Sequence, residues 1–213
     1  MLSLLYQFPG WLQRLYRGVV WRKNTSSKVI YLTFDDGCIP EVTPRVLDLL
    51  REAGAKATFF YVGDNIRRHP ELFARIVAEG HAVGNHTTRH LAGLQTPTDA
   101  YLADVEATDR LLDRVAGTER VRLFRPPYGR MRPAQKRALL RTHTIVLWDV
   151  LTHDYSPRYT PERIMQVIRR YSRPGSVVVF HDSLKAADNM LAVLPEALRF
   201  WKEQGYEVRR IED

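Results

Sequence analysis

Lys28-Val29-Ile30-Tyr31-Leu32-Thr33-Phe34-Asp35-Asp36-Gly37 is a β-branched and aromatic run that stops at two adjacent carboxylates and a glycine. The run over 28–34 predicts a strand, and Asp35-Asp36-Gly37 predicts a turn at its end. Two neighbouring carboxylates at the end of an apolar strand repel each other if both are dry, so a cation or an arginine is expected beside them. Outward from this stretch, further apolar runs at 57–61, 81–85, 121–125, 144–149, 176–181 and 206–211 read as strands. Helical patterns separate them. Thr43-Pro44, Thr96-Pro97 and Thr160-Pro161 each offer a hydroxyl N-cap followed by a first-turn proline, and Gly80 falls where a helix C-cap is expected. Strands alternating with helices imply βα units and a mostly parallel sheet, with an open doubly wound sheet and a closed barrel both allowed.

The 213 residues suit one α/β domain at roughly 150 residues per domain. Cys38 is the single cysteine, which excludes an internal disulfide and any CxxC metal knuckle, so a metal site must draw on His, Asp or Glu. The net charge of +8 would by itself suggest a polyanion partner. Its distribution argues otherwise. Residues 1–27 hold Arg14, Arg17, Arg22 and Lys23 without an acid, and residues 120–141 hold eight basic residues without an acid, leaving the remainder at −4. Nucleic acid is therefore not an expected partner. Leu12, Leu15, Tyr16, Val19 and Val20 follow the spacing of an amphipathic helix, which could lie on anionic lipid but ordinarily packs on its own domain. No secretory signal is recognised and no run reaches the roughly 20 apolar residues of a membrane span, so the default expectation is a cytoplasmic protein.

Three further clusters lie just after predicted strands, where active sites of parallel α/β folds are found. In His86-Thr87-Thr88-Arg89-His90, a helical backbone would put the two histidines on one face, able to share a metal. A carboxylate from another strand would complete a two-His, one-Asp site. Arg125-Pro126-Pro127-Tyr128-Gly129 fixes a loop path, so that Arg125 and the Tyr128 N–H can be held in place. The run 177–182 ends in His181-Asp182, and a histidine there is well placed for proton transfer.

Together with Trp148-Asp149 through Asp154-Tyr155, these motifs resemble, in identity and order, the polysaccharide deacetylase family (carbohydrate esterase family 4). The resemblance runs from about Lys28 to the C-terminus. It implies a distorted, incomplete (β/α)7-8 barrel at residues 28–213, while residues 1–27 read from their own spacing as an amphipathic helix and linker. It further implies Asp36, His86 and His90 as ligands of a divalent metal, usually zinc. Asp35 would be the general base oriented by Arg125, and His181 the general acid, its pKa raised by Asp154. The Tyr128 N–H would help hold an oxyanion. The implied activity is removal of N-acetyl groups from an amino sugar in a glycan of the peptidoglycan or chitin kind, releasing acetate.

Three alternatives stand beside this reading: an O-acetyl esterase or small-molecule amide hydrolase of the same family, a silent glycan-binding module, and a two-His, one-carboxylate iron oxygenase. Cys38 stands where proline is common in the family and reads as a small packing residue or a thiol beside the metal. Tyr155 stands where tryptophan is frequent. Trp148 reads equally as a sugar-stacking or a core residue, His81 as structural, and His69, His143 and His153 carry no expected role. Arg130 and Arg132 are expected either to favour an acidic substrate or to lie on a solvated helix face.

Overall fold

The computed structural model describes residues 6, 7 and 9–212, with the side chains of residues 12, 14 and 15 outside the description. It begins with a short helix α1 (Gly10–Leu15) and a two-residue strand β1 (Val19–Val20). The amphipathic stripe expected from Leu12 to Val20 is thus broken. The helix stops at Leu15, Tyr16 already leaving helical geometry at φ −99° and ψ 61°, Gly18 turns at φ 80°, and Val19 and Val20 pair with Ile145 and Val146 instead. Leu12, Arg14 and Leu15, on which that stripe also rested, are among the side chains not described.

Strand β2 (Val29–Asp35) is buried along its whole length and is followed by α2 (Thr43–Glu52) and β3 (Thr58–Tyr61). Helices α3 (Gly63–Arg68) and α4 (Pro70–Ala78) lead to β4 (Ala82–Asn85). The long α5 (Thr98–Ala116) precedes β5 (Leu123–Phe124), and α6 (Pro133–Leu139) precedes β6 (Thr144–Val146). The chain ends through β7 (Val150–Leu151), α7 (Pro161–Tyr171), β8 (Val177–His181), α8 (Ala187–Glu203) and β9 (Glu207–Arg209). Every run read as a strand contains one. The two-residue β1 and β7 are too short for an apolar pattern to mark them. Of the three Thr-Pro starts, Thr160 caps α7 by accepting the Arg163 N–H. Thr43 is the first residue of α2, its oxygen accepting the Ile39 N–H and its hydroxyl donating to Asp182, and α5 starts at Thr98 with Pro97 at the N-cap, so neither Thr43 nor Thr96 occupies the capping position.

The sheet runs β1-β6-β5-β4-β3-β2-β8-β7 with every ladder parallel. It curls without closing, since among the described residues no ladder joins β1 to β7. Strand β9 pairs with Val29–Tyr31 of β2 while β3 pairs with Thr33–Asp35, which splits the wall there. The incomplete barrel is the outcome. Alternation along β2 then positions the site. Ile30, Leu32 and Phe34 belong to the large core under the helices, whereas Val29 and Tyr31 belong to the inner cluster with Phe60, Val146 and Val177. Thr33 and Asp35 share that inner face.

Candidate active site

All strands being parallel, their C-terminal ends open together at one mouth of the barrel. Asp35 ends β2 there, His86 follows β4, Arg125 follows β5 and His181 ends β8. The Arg125 side chain is fully buried inside the barrel. Its Nη1 donates to Asp35 Oδ1 at 2.5 Å and to Thr33 Oγ1 at 2.9 Å, while Nε and Nη2 donate to the carbonyls of Val146 and Leu147. The guanidinium also lies 4.1 Å from the Phe60 ring centroid. Burial pushes the Arg125 pKa down and the charge of Asp35 opposes it, so each ion is the other's main compensation. This is the arginine expected beside the paired carboxylates.

The segment His86–His90 is not helical. Thr87 and His90 take φ values of 62° and 53°, and the two imidazoles, with centroids 5.0 Å apart, are brought together by a loop. Its anchors lie in β4 and α5. Asn85 Oδ1 accepts the Thr87 N–H at 2.8 Å, Asp104 Oδ1 accepts the Thr88 N–H at 2.6 Å, and Asn85 Nδ2 donates to Asp109. Sequence reasoning missed these anchors, because nothing local marks them. Asp36, at φ 81°, completes the cluster: its Oδ1 lies 3.3 Å from His90 Nε2 and 3.7 Å from His86 Nε2.

The candidate ligand atoms of Asp36, His86 and His90 lie within 4.8 Å of one another, and Asp36 Oδ1 is a buried oxygen without a hydrogen-bond partner among the described residues. His86 Nδ1 donates to the Arg125 carbonyl at 2.7 Å, which leaves Nε2 with its lone pair toward Asp36 and His90. Burial brings the His86 pKa down to about 4, so that lone pair is present at neutral pH. An orphaned carboxylate oxygen beside imidazoles is the donor set of a divalent metal, and the residues fit one.

His181 stands across the mouth. Its Nδ1 donates to Asp154 Oδ1 and its N–H to Asp154 Oδ2, both at 2.7 Å, and Asp154 itself is buried. Burial alone would lower the His181 pKa, but the charge and hydrogen bond of Asp154, helped by Asp36 and Asp35, raise it to about 9. Asp35, Asp36, His86, His90 and His181 line one groove of about 840 Å³. Tyr128, at φ 60° and 64% exposed, forms a wall with its ring 4.8 Å from His90. Trp148 lines the same groove rather than the core, and its indole lies so close that a Cβ on Gly129 would meet Cη2 at 2.5 Å. Tyr155 faces His181 edge to face at 4.8 Å, and His153, given no role from sequence, lies 3.1 Å from its hydroxyl.

Asp182, the residue after His181, has a structural task that sequence reasoning missed. Its buried carboxylate accepts from the Gly37 N–H, the Thr43 hydroxyl and the Tyr61 hydroxyl, while its own N–H donates to the Asp35 carbonyl. It therefore ties the Asp35-Asp36-Gly37 turn to α2 and β3. Burial raises its pKa to about 7 against those three donors. Gly37 is demanded by this approach, since a Cβ would lie 2.2 Å from Asp182 Oδ2 and 2.4 Å from Tyr61. Cys38 is buried in the main core, and burial pushes its thiol pKa up, in keeping with a packing residue. His81 accepts the Ala57 N–H, and His143 bonds Asp109. Arg132 donates to the Leu94 carbonyl, whereas Arg130 lines the groove.

An open parallel barrel bearing a His-His-Asp cluster, an Asp–Arg pair and a His–Asp pair at one mouth is the architecture of a metal-dependent hydrolase. The polysaccharide deacetylase family profile matches residues 22–148, and the chain belongs to that family. It is 34% identical over 193 residues to a peptidoglycan-N-acetylglucosamine deacetylase of Bacillus cereus, covering 88% of each chain. It is 35% identical over 165 residues to a chitooligosaccharide deacetylase of Azorhizobium caulinodans, covering 75% of each. The crystal structure of the Bc1960 peptidoglycan N-acetylglucosamine deacetylase superposes with a TM-score of 0.86 at 30% identity, covering 94% of this chain and 93% of that one. No helix among the described residues is long and apolar enough to cross a membrane.

Proposed function

We propose that this chain is a metal-dependent deacetylase that hydrolyses the acetamide of an N-acetylated amino sugar within a glycan, releasing acetate and leaving a free amine. The observation that carries the reading is one groove lined by Asp36, His86, His90, Asp35 and His181, with Arg125 and Asp154 buried behind the last two. Asp36, His86 and His90 would hold a divalent cation, zinc by the donor set, which supplies carbonyl polarisation and a more acidic water when bound. Asp35, aimed by Arg125, takes a proton from the attacking water as its oxygen bonds to the acetamide carbon. The Tyr128 N–H donates to the oxygen on which negative charge develops. His181, held protonated by Asp154, passes its proton to the sugar nitrogen as the C–N bond breaks. The peptidoglycan and chito-oligosaccharide relatives make N-acetylglucosamine-containing glycans the first substrates to try.

Acetate release over a panel of peptidoglycan fragments, chitin oligomers and acetylated xylan, with metal analysis of the same sample, tests this. Release from an N-acetylated glycan with one metal per chain supports it. Release from acetylated xylan alone replaces it with O-acetyl ester hydrolysis, and release from none overturns it.

A further inference from the structure

A row of rings runs from the first described residue to His181. Tyr6 is buried, with its ring stacked on Tyr171 at 6.0 Å and meeting Tyr159 and His153 edge to face at 5.9 and 5.7 Å. Arg163 Nη2 donates to the Tyr6 hydroxyl and Gln7 Nε2 to the Tyr171 carbonyl, both at 3.4 Å, which ties this segment to α7. His153 is next in the row. Its ring stacks on Tyr159 at 4.9 Å, and its Nδ1 shares a hydrogen bond with the Tyr155 hydroxyl at 3.1 Å. His153 takes φ 58°, a left-handed conformation that its surroundings must impose, and the rings of Tyr6 and Tyr159 are part of those surroundings. Tyr155 then packs edge to face on His181 at 4.8 Å and lines the groove. Asn189 of α8 fixes the backbone of the same loop by donating to the carbonyls of Asp154 and Tyr159, which leaves the His153 and Tyr155 rings to be placed by their neighbours. Tyr6 precedes the residues 22–148 that the family profile matches, so this support comes from a segment the profile does not cover.

We infer that Tyr6 is a positioning residue of the active site: it holds His153, and through His153 the Tyr155 ring, against His181. The inference rests on the deacetylase reading above and adds a brace to its general acid. The bond from His181 Nδ1 to Asp154 fixes one atom of the imidazole, and the Tyr155 ring limits the swing of the rest, so that Nε2 keeps its place for proton transfer. Tyr6 is not among the residues lining the groove, so its effect on turnover passes through Tyr155.

The test measures kcat and KM of the metal-loaded full chain on the N-acetylated glycan it turns over fastest. The proteins compared are the wild type, Tyr6→Ala, Tyr6→Phe, Tyr155→Phe and the Tyr6→Ala/Tyr155→Phe pair. Tyr6→Ala is expected to lose roughly tenfold in kcat with a smaller change in KM, and Tyr6→Phe, which keeps the ring, to recover most of that loss. Tyr155→Phe cuts the bond to His153, so adding Tyr6→Ala to it should cost no more. A wild-type kcat in Tyr6→Ala, equal losses in Tyr6→Ala and Tyr6→Phe, or losses that multiply in the pair overturn the inference. Should Tyr6→Ala fail to fold by circular dichroism, Tyr6→Leu, which fills the pocket without a ring, takes its place under the same outcomes. If the wild type releases acetate from no glycan, the deacetylase reading fails, and the imidazole NMR signals of the full chain decide the brace separately. A His181 signal shifted by Tyr6→Ala and not by Tyr6→Phe then supports it, since the ring current of Tyr155 reaches His181 at 4.8 Å. A signal left in place, or moved equally by both variants, overturns it.

Discussion

Asp154 and Arg125 do the same thing for opposite partners, since each is a buried ion that fixes the orientation of the group at the mouth. Replacing Asp154 by Asn removes the charge that holds His181 up against burial. The alkaline limb of kcat/KM is expected to move from near pH 9 toward or below the ordinary 6.5, read from a pH–rate profile. An unmoved limb would assign it to another group. Asp35→Asn should abolish acetate release while the protein still copurifies with metal, whereas His86→Ala should lose both. Metal retained by His86→Ala would remove that residue from the ligand set. Asp182→Ala leaves the Gly37 N–H, the Thr43 hydroxyl and the Tyr61 hydroxyl without their acceptor and should cost about 1–3 kcal/mol in urea unfolding. Asp182→Asn keeps one carbonyl oxygen and should cost less. The residues of the site were legible because they sit in ordered motifs. Asp182 was not, because its three donors come from Gly37, Thr43 and Tyr61, far away in the chain.

At the scale of elements, the loop carrying the proposed metal ligands His86 and His90 depends on α5. Asp104 takes the Thr88 N–H and the Arg89 Nε, and its carbonyl takes the Thr88 hydroxyl. These bonds hold a loop whose Thr87 and His90 are in left-handed conformations, which costs of order 1–3 kcal/mol per residue unless the surroundings impose it. Asp104→Ala should therefore weaken metal binding roughly tenfold, measured by chelator competition, with helix content by circular dichroism unchanged. Unaltered affinity would reduce Asp104 to a packing role. The same loop explains where local patterns mislead. A helical spacing of the two histidines gives the right pair by the wrong backbone, since hydrogen bonds from a helix a dozen residues downstream decide it. Thr43 looks like a cap and is not one for a related reason: α2 begins one residue earlier than the Thr-Pro pattern implies, and the Thr43 side chain instead bonds the Ile39 N–H and a carboxylate 139 residues away.

Over the whole molecule the net charge stays at +8, but part of the local basic excess is paired with acids from other segments. Within 120–141, Arg120 and Arg122 pair with Asp109 and Asp113, Arg125 with Asp35, and Lys136 lies over the Tyr16 ring. Stability should follow His86 and His181, with the buried His81, whose pKa burial also brings down to about 4, acting in the same sense as His86. The folded pKa of His86, about 4, lies below the ordinary 6.5, so the unfolded chain binds the extra proton between those values and stability falls as pH drops through them. The folded pKa of His181, about 9, lies above 6.5, so the stability it contributes is complete below 6.5 and is lost as pH rises toward 9. The chelated protein is expected to show its highest Tm near pH 6.5, and metal should raise Tm by mass action. A Tm climbing steadily from pH 6.5 to 9 would contradict the His181–Asp154 coupling.

The sequence by itself determined the alternation of strands and helices, the order of the motifs and the residue types at the mouth, because apolar periodicity and turn chemistry are local. The tertiary structure decided that the first valines join the sheet as an edge, and it supplied the strand pairing and the reach of Arg125 to Asp35 across 90 residues that the motif resemblance could only imply. It also decided which arginine beside the turn faces the groove. Those outcomes depend on strand pairing and on competition among distant donors and acceptors, and no local pattern encodes them.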